Sequence, residues 1–360
     1  MKCSQFVRVF LFSALLSSAT PAFAQPEGLN YISNLKGSVQ IKQPNRSNYQ
    51  KANFGDQLRV GTRIRVDKGA MAMVTCSNAT NVQVPTGKES LLQDVCKGSD
   101  RPVLYRKDQK AGPTRSGEDS TLPYLISPRN TALLGHQPLL RWNNIHTAPY
   151  QVTVKGGEVN WSTTVSQAQV VFPGDRQPIK PGFRYRVTVV AQDGKKTAQD
   201  DPVSFTFLSD EQVRQVQKEV QQVQQLSLDP AAQALALAFL YQHYDLKAEA
   251  IDLLEAASKK GIPMTATTQV LGELYQQSGL PRSAKDQYVK ALQLAKTEKN
   301  LEGQAMLQTH LGEVNETLDQ LKEALQSFQA AKSSYQSLGD TAQVSTLQQQ
   351  IDDLSKRVQR

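Results

Sequence analysis

The stretch LGELYQQSGLPRSAKDQYVKA, residues 271–291, decides the fold of the C-terminal part of this chain, because its pattern occurs three times. One copy, LAFLYQHYDLKAEAIDLLEAA at 237–257, lies 34 residues earlier, and another, LGEVNETLDQLKEALQSFQAA at 311–331, lies 40 residues later. Within each copy the matched apolar and small residues recur at helical spacings. The repeat therefore predicts pairs of packed helices.

The repeated pattern, L-G-x-x-Y and then A-x-x-x-Y/F-x-x-A, is similar to the signature of the tetratricopeptide repeat (TPR) family, which has the same 34-residue period. The chain departs from that signature at Asn315, in a six-residue extension around 296–302, and in lacking a tryptophan near the helix start. The resemblance implies an all-α TPR superhelix at 229–339. Its predicted parts are repeats at about 231–264, 265–304 and 305–338, followed by a capping helix at 340–360.

In TPR proteins the first helix of each pair lines a groove that takes a peptide or an extended protein segment. The same register implies a partner groove in this chain. Its predicted lining is Phe239, Gln242, His243, Gln269, Glu273, Gln276, His310 and Glu313. The two histidines belong to different repeats and have no third ligand nearby in sequence, so we interpret them as solvated groove residues and predict no metal site.

A connecting helix is predicted at 209–228. Ser209 and Gln212 form a capping box at its start, and an apolar stripe runs from Val213 to Leu226 at three- and four-residue spacings. The stripe could pack on the following helices, which we favour, or pair with another chain.

The N-terminus has the three parts of a secretory signal: Lys2 and Arg8, an apolar run at 9–16, and the small-x-small site Ala22-Phe23-Ala24. We therefore predict a signal peptide at 1–24 and an exported protein, periplasmic or extracellular, without a transmembrane segment in the mature chain. Cys76 and Cys96 are the two remaining cysteines. In an oxidising compartment they are expected to form a disulfide.

Residues 25–98 alternate glycine turns with period-2 apolar runs, such as GSVQI at 37–41, GTRIRV at 61–66 and GAMAMV at 69–74. Such runs predict a small all-β domain. The ordered set resembles FecR-like domains, which implies an extracytoplasmic module that contacts other envelope components. The family's transmembrane signalling does not carry over, because the chain lacks its membrane-spanning segment.

A polar linker is predicted at 99–122, and a second β domain at 123–208. Short alternating runs such as YQVTV at 150–154 and YRVTV at 185–189 indicate a β-sandwich. The runs PLLRWN and KPGFRYRVTV look like fibronectin-like (immunoglobulin-like) domains, which gives a multidomain β + α architecture.

Charge is unevenly distributed along the chain. Residues 25–115 hold 15 Lys or Arg against 7 Asp or Glu, whereas residues 210–360 hold 15 against 19. The first domain is thus a basic module, with Arg59, Arg63 and Arg65 as its predicted basic surface, suited to an anionic cell-wall polymer or another anionic envelope component. Nucleic acid is a poor candidate for an exported chain.

The sequence contains four isolated histidines and none of the common catalytic or cofactor-binding motifs, so we predict no catalytic residues, no cofactor and no enzyme activity. The leading hypothesis is an exported scaffold or adaptor for protein–protein interaction. The alternatives are a structural envelope protein that self-associates through the Val213–Leu226 stripe and, less favoured, an enzyme acting on cell-wall glycan.

Overall fold

The structure is a computed structural model that describes residues 29–44, 46–98, 104, 118–146, 148–197, 203–261 and 264–359. The predicted signal peptide and most of the predicted linker lie outside these residues. An N-terminal β region is followed by a TPR-like array of helices, as the repeat and the alternating runs predict.

The first β domain (residues 29–98) consists of two four-stranded antiparallel sheets, in the orders β4-β1-β6-β7 and β3-β2-β5-β8. Alternation decides which side chains form its core: Ile41 and Ile64 are buried, whereas Arg63 and Arg65 are exposed. The strands are β1 (Asn30–Lys36), β2 (Val39–Lys42), β3 (Gln50–Lys51), β4 (Gln57–Leu58), β5 (Arg63–Val66), β6 (Met71–Thr75), β7 (Asn81–Gln83) and β8 (Glu89–Leu91), followed by the short helix α1 (Leu92–Val95).

The predicted disulfide between Cys76 and Cys96 is present, with the two Cα atoms 5.5 Å apart. Both cysteines are buried in the core of the first β domain. Cys76 directly follows β6 and Cys96 directly follows α1, so the bridge ties the C-terminal end of the domain to the sheet that contains β6.

The second β domain (residues 118–208) also has two sheets: five strands in the order β10-β16-β15-β12-β13 and three in the order β14-β11-β9. The β10–β16 pair is parallel, and the other pairs are antiparallel. The β-sheet content is confirmed, while the FecR-like and fibronectin-like assignments stay predictions. The strands are β9 (Leu125–Ser127), β10 (Thr131–Leu133), β11 (Leu139–Trp142), β12 (Tyr150–Gly156), β13 (Val159–Val165), β14 (Gln169–Val171), β15 (Tyr185–Ala191) and β16 (Ser204–Phe207).

Helices fill the C-terminal part of the described chain. They are α2 (Asp210–Gln224), α3 (Pro230–His243), α4 (Lys247–Lys259), α5 (Thr265–Gln277), α6 (Pro281–Thr297), α7 (Leu301–Thr317), α8 (Leu321–Ser337) and α9 (Thr341–Val358). We call α3–α9 the helical array. The third repeat begins at Leu301 rather than near 305, because the six-residue extension lengthens the helices on either side of the turn at 298–300.

Helix α2 begins at the predicted capping box of Ser209 and Gln212. Its apolar stripe packs inside the chain: Val216 and Val223 are fully buried, and Val216 shares a cluster with Leu246. The surface on which the self-association alternative depends is therefore already used within one chain.

The two helices of a repeat approach closely where a glycine faces an aromatic ring. A Cβ atom on Gly272 of α5 would lie 2.6 Å from the Tyr288 ring of α6, and a Cβ on Gly312 of α7 would overlap the Phe328 ring of α8. Both rings are fully buried. In the first repeat the corresponding residues are Ala238 and Leu254. Alanine, which is larger than glycine, is therefore paired with leucine, which is smaller than an aromatic side chain.

We expect Gly312→Ala to lower the free energy of unfolding of the array. Overpacking a filled site costs about 1–3 kcal/mol. Because the added Cβ would overlap the Phe328 ring, we expect a cost near the upper end of this range, above the gain of about 1 kcal/mol from replacing a helical glycine by alanine. Urea denaturation followed by circular dichroism would measure the loss. Adding Phe328→Leu should recover part of it, since the pair then matches the Ala–Leu pair of the first repeat. A double variant whose losses simply add would contradict this explanation.

Candidate partner-binding site on the helical array

The first helices of the three repeats, α3, α5 and α7, form one surface, which we call the groove face. The structure divides the eight predicted groove residues by burial. Three are buried: Phe239, Gln269 and Glu273. The other five are half-buried: Gln242, His243, Gln276, His310 and Glu313.

The first β domain covers the part of the groove face that runs from the N-terminal ends of α3, α5 and α7 as far as Phe239, which we call its N-terminal half. The Tyr31 ring meets the Phe239 ring edge to face, with centroids 5.7 Å apart, and the Tyr31 hydroxyl donates a hydrogen bond of 3.1 Å to the carbonyl of Ala232. Gly55 lies so close to Ala266 of α5 that no side chain would fit between them. The chain's own β domain therefore occupies surface that the TPR resemblance assigns to a partner.

Arg46 fixes this contact electrostatically. Its guanidinium donates to both carboxylate oxygens of Glu302 on α7 and lies 3.4 Å from the Asp340 carboxylate at the start of α9. The Gln50 amide donates to the same Glu302 carboxylate at 3.1 Å. Burial alone would lower the pKa of Arg46, but the hydrogen bond and the two carboxylate charges raise it above its usual value. The side chain is 4% exposed, so this ion group is shielded from solvent.

A cavity of about 390 Å³ remains between the first β domain and the helical array. Asp56, Arg59, Gln269 and His310 are among its lining residues. Burial raises the pKa of Asp56 to about 8, although the backbone N–H of Asn53 donates a 2.7 Å hydrogen bond to its carboxylate. Arg59 thus lies beside this cavity, whereas Arg63 and Arg65 are on the other sheet of the domain.

The pKa values of His310 and His243 are shifted in opposite directions. Neither residue fits our prediction that both histidines are solvated. The His310 ring lies 3.5 Å from the Glu273 carboxylate and 3.3 Å from that of Glu313, and it stacks on Tyr288. Burial lowers the pKa of His310, but its hydrogen bonds to the two carboxylates outweigh burial and raise the pKa to about 9. Burial lowers the pKa of His243 to about 4.

The second β domain covers the turns between the helices of the first two repeats. The buried Arg129 guanidinium donates to the carbonyls of Ser278 and Gly279, at 2.8 and 3.3 Å. The Glu118 carboxylate accepts a 3.1 Å hydrogen bond from the backbone N–H of Ser283, at the positive N-terminal end of α6. Both β domains therefore hold the array, at different edges.

The rest of the groove face, toward the C-terminal ends of α3, α5 and α7, stays half-exposed, and we call it the accessible half. Gln242, Gln276 and Glu313 present amide and carboxylate groups there, which can exchange hydrogen bonds with the backbone or side chains of a bound segment. Across the described residues, no three His, Cys, Asp or Glu side chains are grouped so that they could hold a metal ion. No helix in the described part of the chain has the length and apolar character needed to cross a bilayer.

Arg63 and Arg65 belong to a basic face on the outward side of the sheet β3-β2-β5-β8. Both guanidiniums pair with the Glu89 carboxylate, and Arg65 lies 3.8 Å from the centroid of the Tyr49 ring. Hydrogen bonds from Tyr49, Arg63 and Arg65 lower the pKa of Glu89 to about 2. The sequence indicated the two arginines but not the acid and the tyrosine beside them, which the strand register brings there.

No known protein family matches the sequence, and no curated protein is significantly similar to it. Solved structures resemble the C-terminal helical part. PcrH from Pseudomonas aeruginosa is 20% identical, with a TM-score of 0.32, covering 36% of this chain and 95% of its own. PcrH bound to the chaperone binding region of PopD is 16% identical, with a TM-score of 0.30, covering 42% and 96%.

A third solved structure contains the nearly identical TPR-like repeats of a Podospora anserina kinesin light chain. It is 20% identical, with a TM-score of 0.27, covering 42% of this chain and 92% of its own. The TPR-like architecture of the present chain is carried by its own repeat and by the packing of its helix pairs.

We expect Arg46→Ala to loosen the first β domain from the array. Removing one member of a buried ion group costs about 3–5 kcal/mol, because the remaining charges stay buried without their partner. Hydrogen exchange should become faster at the N-terminal ends of α5 and α7, while protection in α8 is retained. Arg214→Ala, at an exposed site on α2, is the matched control. Equal exchange in the two variants would show that Arg46 does not hold the domain.

We expect His310 to titrate near pH 9, well above its ordinary pKa of 6.5. Since folding raises this pKa, the stability that His310 contributes is fully present below pH 6.5 and is lost as the pH rises through about 9. NMR titration of the ring protons measures the midpoint, and Glu313→Gln should lower it. A wild-type midpoint at or below that of a free histidine would contradict the assignment.

Proposed function

We propose that this protein is an exported, non-enzymatic scaffold whose TPR-like array binds a protein partner in the cell envelope. The TPR-like architecture supports protein–protein interaction in general. The partner and the envelope location belong to the proposal. The observation that carries it is the divided groove face: one half is covered by the first β domain, and the adjoining half is left accessible to another chain.

The covered half indicates what kind of contact this surface makes. The first β domain binds it through a buried aromatic pair, a backbone approach at Gly55 and a buried arginine. Buried aromatic residues and arginines are typical of protein–protein interfaces. The accessible half, around Gln242, Gln276 and Glu313, is polar and suits hydrogen bonds to an extended protein segment. Hydrogen bonding to a bound segment is the interaction that these amide and carboxylate groups offer.

The first β domain has a second role in the proposal. The arginines of its basic face stay exposed, although Arg46 and Gln50, which contact the array, lie beside and in β3 of the same sheet. A partner held at the groove face would thus be linked to an anionic component of the envelope, which is what a scaffold requires.

We expect a photoreactive amino acid at position 242 or 276 to crosslink to a discrete protein in the native envelope, since both positions lie on the accessible half of the groove face. The same amino acid at the exposed position 290, on a second helix of the array, is the control. Immunoblotting for adducts of defined mass gives the result. The proposal fails if positions 242 and 276 yield no adduct, or only those also formed from position 290.

A further inference from the structure

We propose that the basic face of the first β domain is a binding surface for an anionic polysaccharide. This inference rests on the proposed contact with an anionic envelope component and names the chemical class of that component. The basic face is defined by seven side chains. Six belong to the sheet β3-β2-β5-β8, and the seventh is Tyr49, the residue before β3. They are Gln40, Lys42, Tyr49, Lys51, Arg63, Arg65 and Glu89.

The strand register brings like charges together on this face. Lys42 of β2 is directly opposite Arg63 of β5, and Gln40 lies between Lys51 on one side and Arg65 on the other. Like charges in directly opposed positions destabilise a sheet. A surface that keeps such a pair is less stable by itself than it would be with a polyanion lying across it.

The face also keeps an excess of positive charge. Its four cations and the one carboxylate of Glu89 give a formal charge of +3. Glu89 is ionised and shared between Arg63 and Arg65, so it orders the two guanidiniums without neutralising the face. Both arginine side chains are about half exposed, which leaves N–H groups for a ligand.

A polysaccharide fits this surface better than a lipid bilayer does. Membrane-surface sites combine cations with apolar side chains that enter the acyl region. The exposed large apolar residues in the described part of the chain are Val60, Leu139, Val171, Phe183, Val289 and Leu301, and none belongs to the basic face. Leu91, which the register places opposite Arg63, is half-buried. The face instead adds the Gln40 amide and the Tyr49 hydroxyl, and neighbouring strands about 4.8 Å apart repeat its charges across a shallow surface. Such a surface suits an extended, hydroxyl-rich polyanion.

The test measures binding of the full mature chain to alginate, an acidic polysaccharide, with neutral dextran and phosphatidylglycerol vesicles as comparisons. The variant Lys42→Gln/Lys51→Gln removes two charges from the face. Lys290→Gln/Lys296→Gln removes two exposed charges from α6 and is the matched control. We expect the first variant to bind alginate about tenfold more weakly and the control to change affinity less than about twofold, since each surface charge contributes modestly. Glu89→Gln should tighten binding, and added salt should weaken it.

The first variant should be as thermally stable as the wild type at low salt or more so, because it removes the opposed like charges, so weaker binding would not reflect unfolding. The proposal is overturned if the wild type does not bind alginate, if both double variants lose affinity equally, or if vesicles bind and alginate does not. The crosslinking test at positions 242 and 276 is independent of these charges, so either proposal can fail while the other stands.

Discussion

The close approach of paired helices at a glycine is the constraint on which the rest of the structure depends. With no Cβ at Gly272 and Gly312, the buried rings of Tyr288 and Phe328 can lie against the backbone of the first helix. This fixes the geometry of the second and third helix pairs, and the stacking of the pairs then aligns α3, α5 and α7 into one groove face. The two β domains dock on this face and on one of its turns, through Tyr31 and Arg129 respectively.

The docking of the first β domain changes what the array can do. A TPR-like array alone would present the whole groove face, whereas here Tyr31, Gly55 and Arg46 cover its N-terminal half. The buried group of Arg46, Glu302 and Asp340 specifies this arrangement more than it stabilises it, because desolvation of the charges offsets much of their attraction. The accessible half is therefore defined by an intramolecular contact.

Electrostatics separates the molecule into regions of different character. The groove face carries Glu273 and Glu313 beside His310, whose pKa they raise, whereas burial lowers the pKa of His243 on α3. The basic face, in contrast, holds its cations in solvent and ionises Glu89 between them. Two surfaces of opposite character in one chain are suited to two different partners, which is consistent with a linking role.

The sequence by itself determined the local structure: the repeats, the capping box at Ser209, the strand alternation and the Cys76–Cys96 bridge all follow from periods or residue types that act over short distances. It also predicted eight residues for the partner groove, all of them on α3, α5 and α7. Only the tertiary structure decided which of them are covered, because Arg46 and Glu302 are 256 residues apart and no local pattern links them. The same holds for the protonation of His310, which depends on Glu273 from another repeat as well as on its helical neighbour Glu313. Long-range packing, unlike periodicity, leaves no signal in the neighbouring residues.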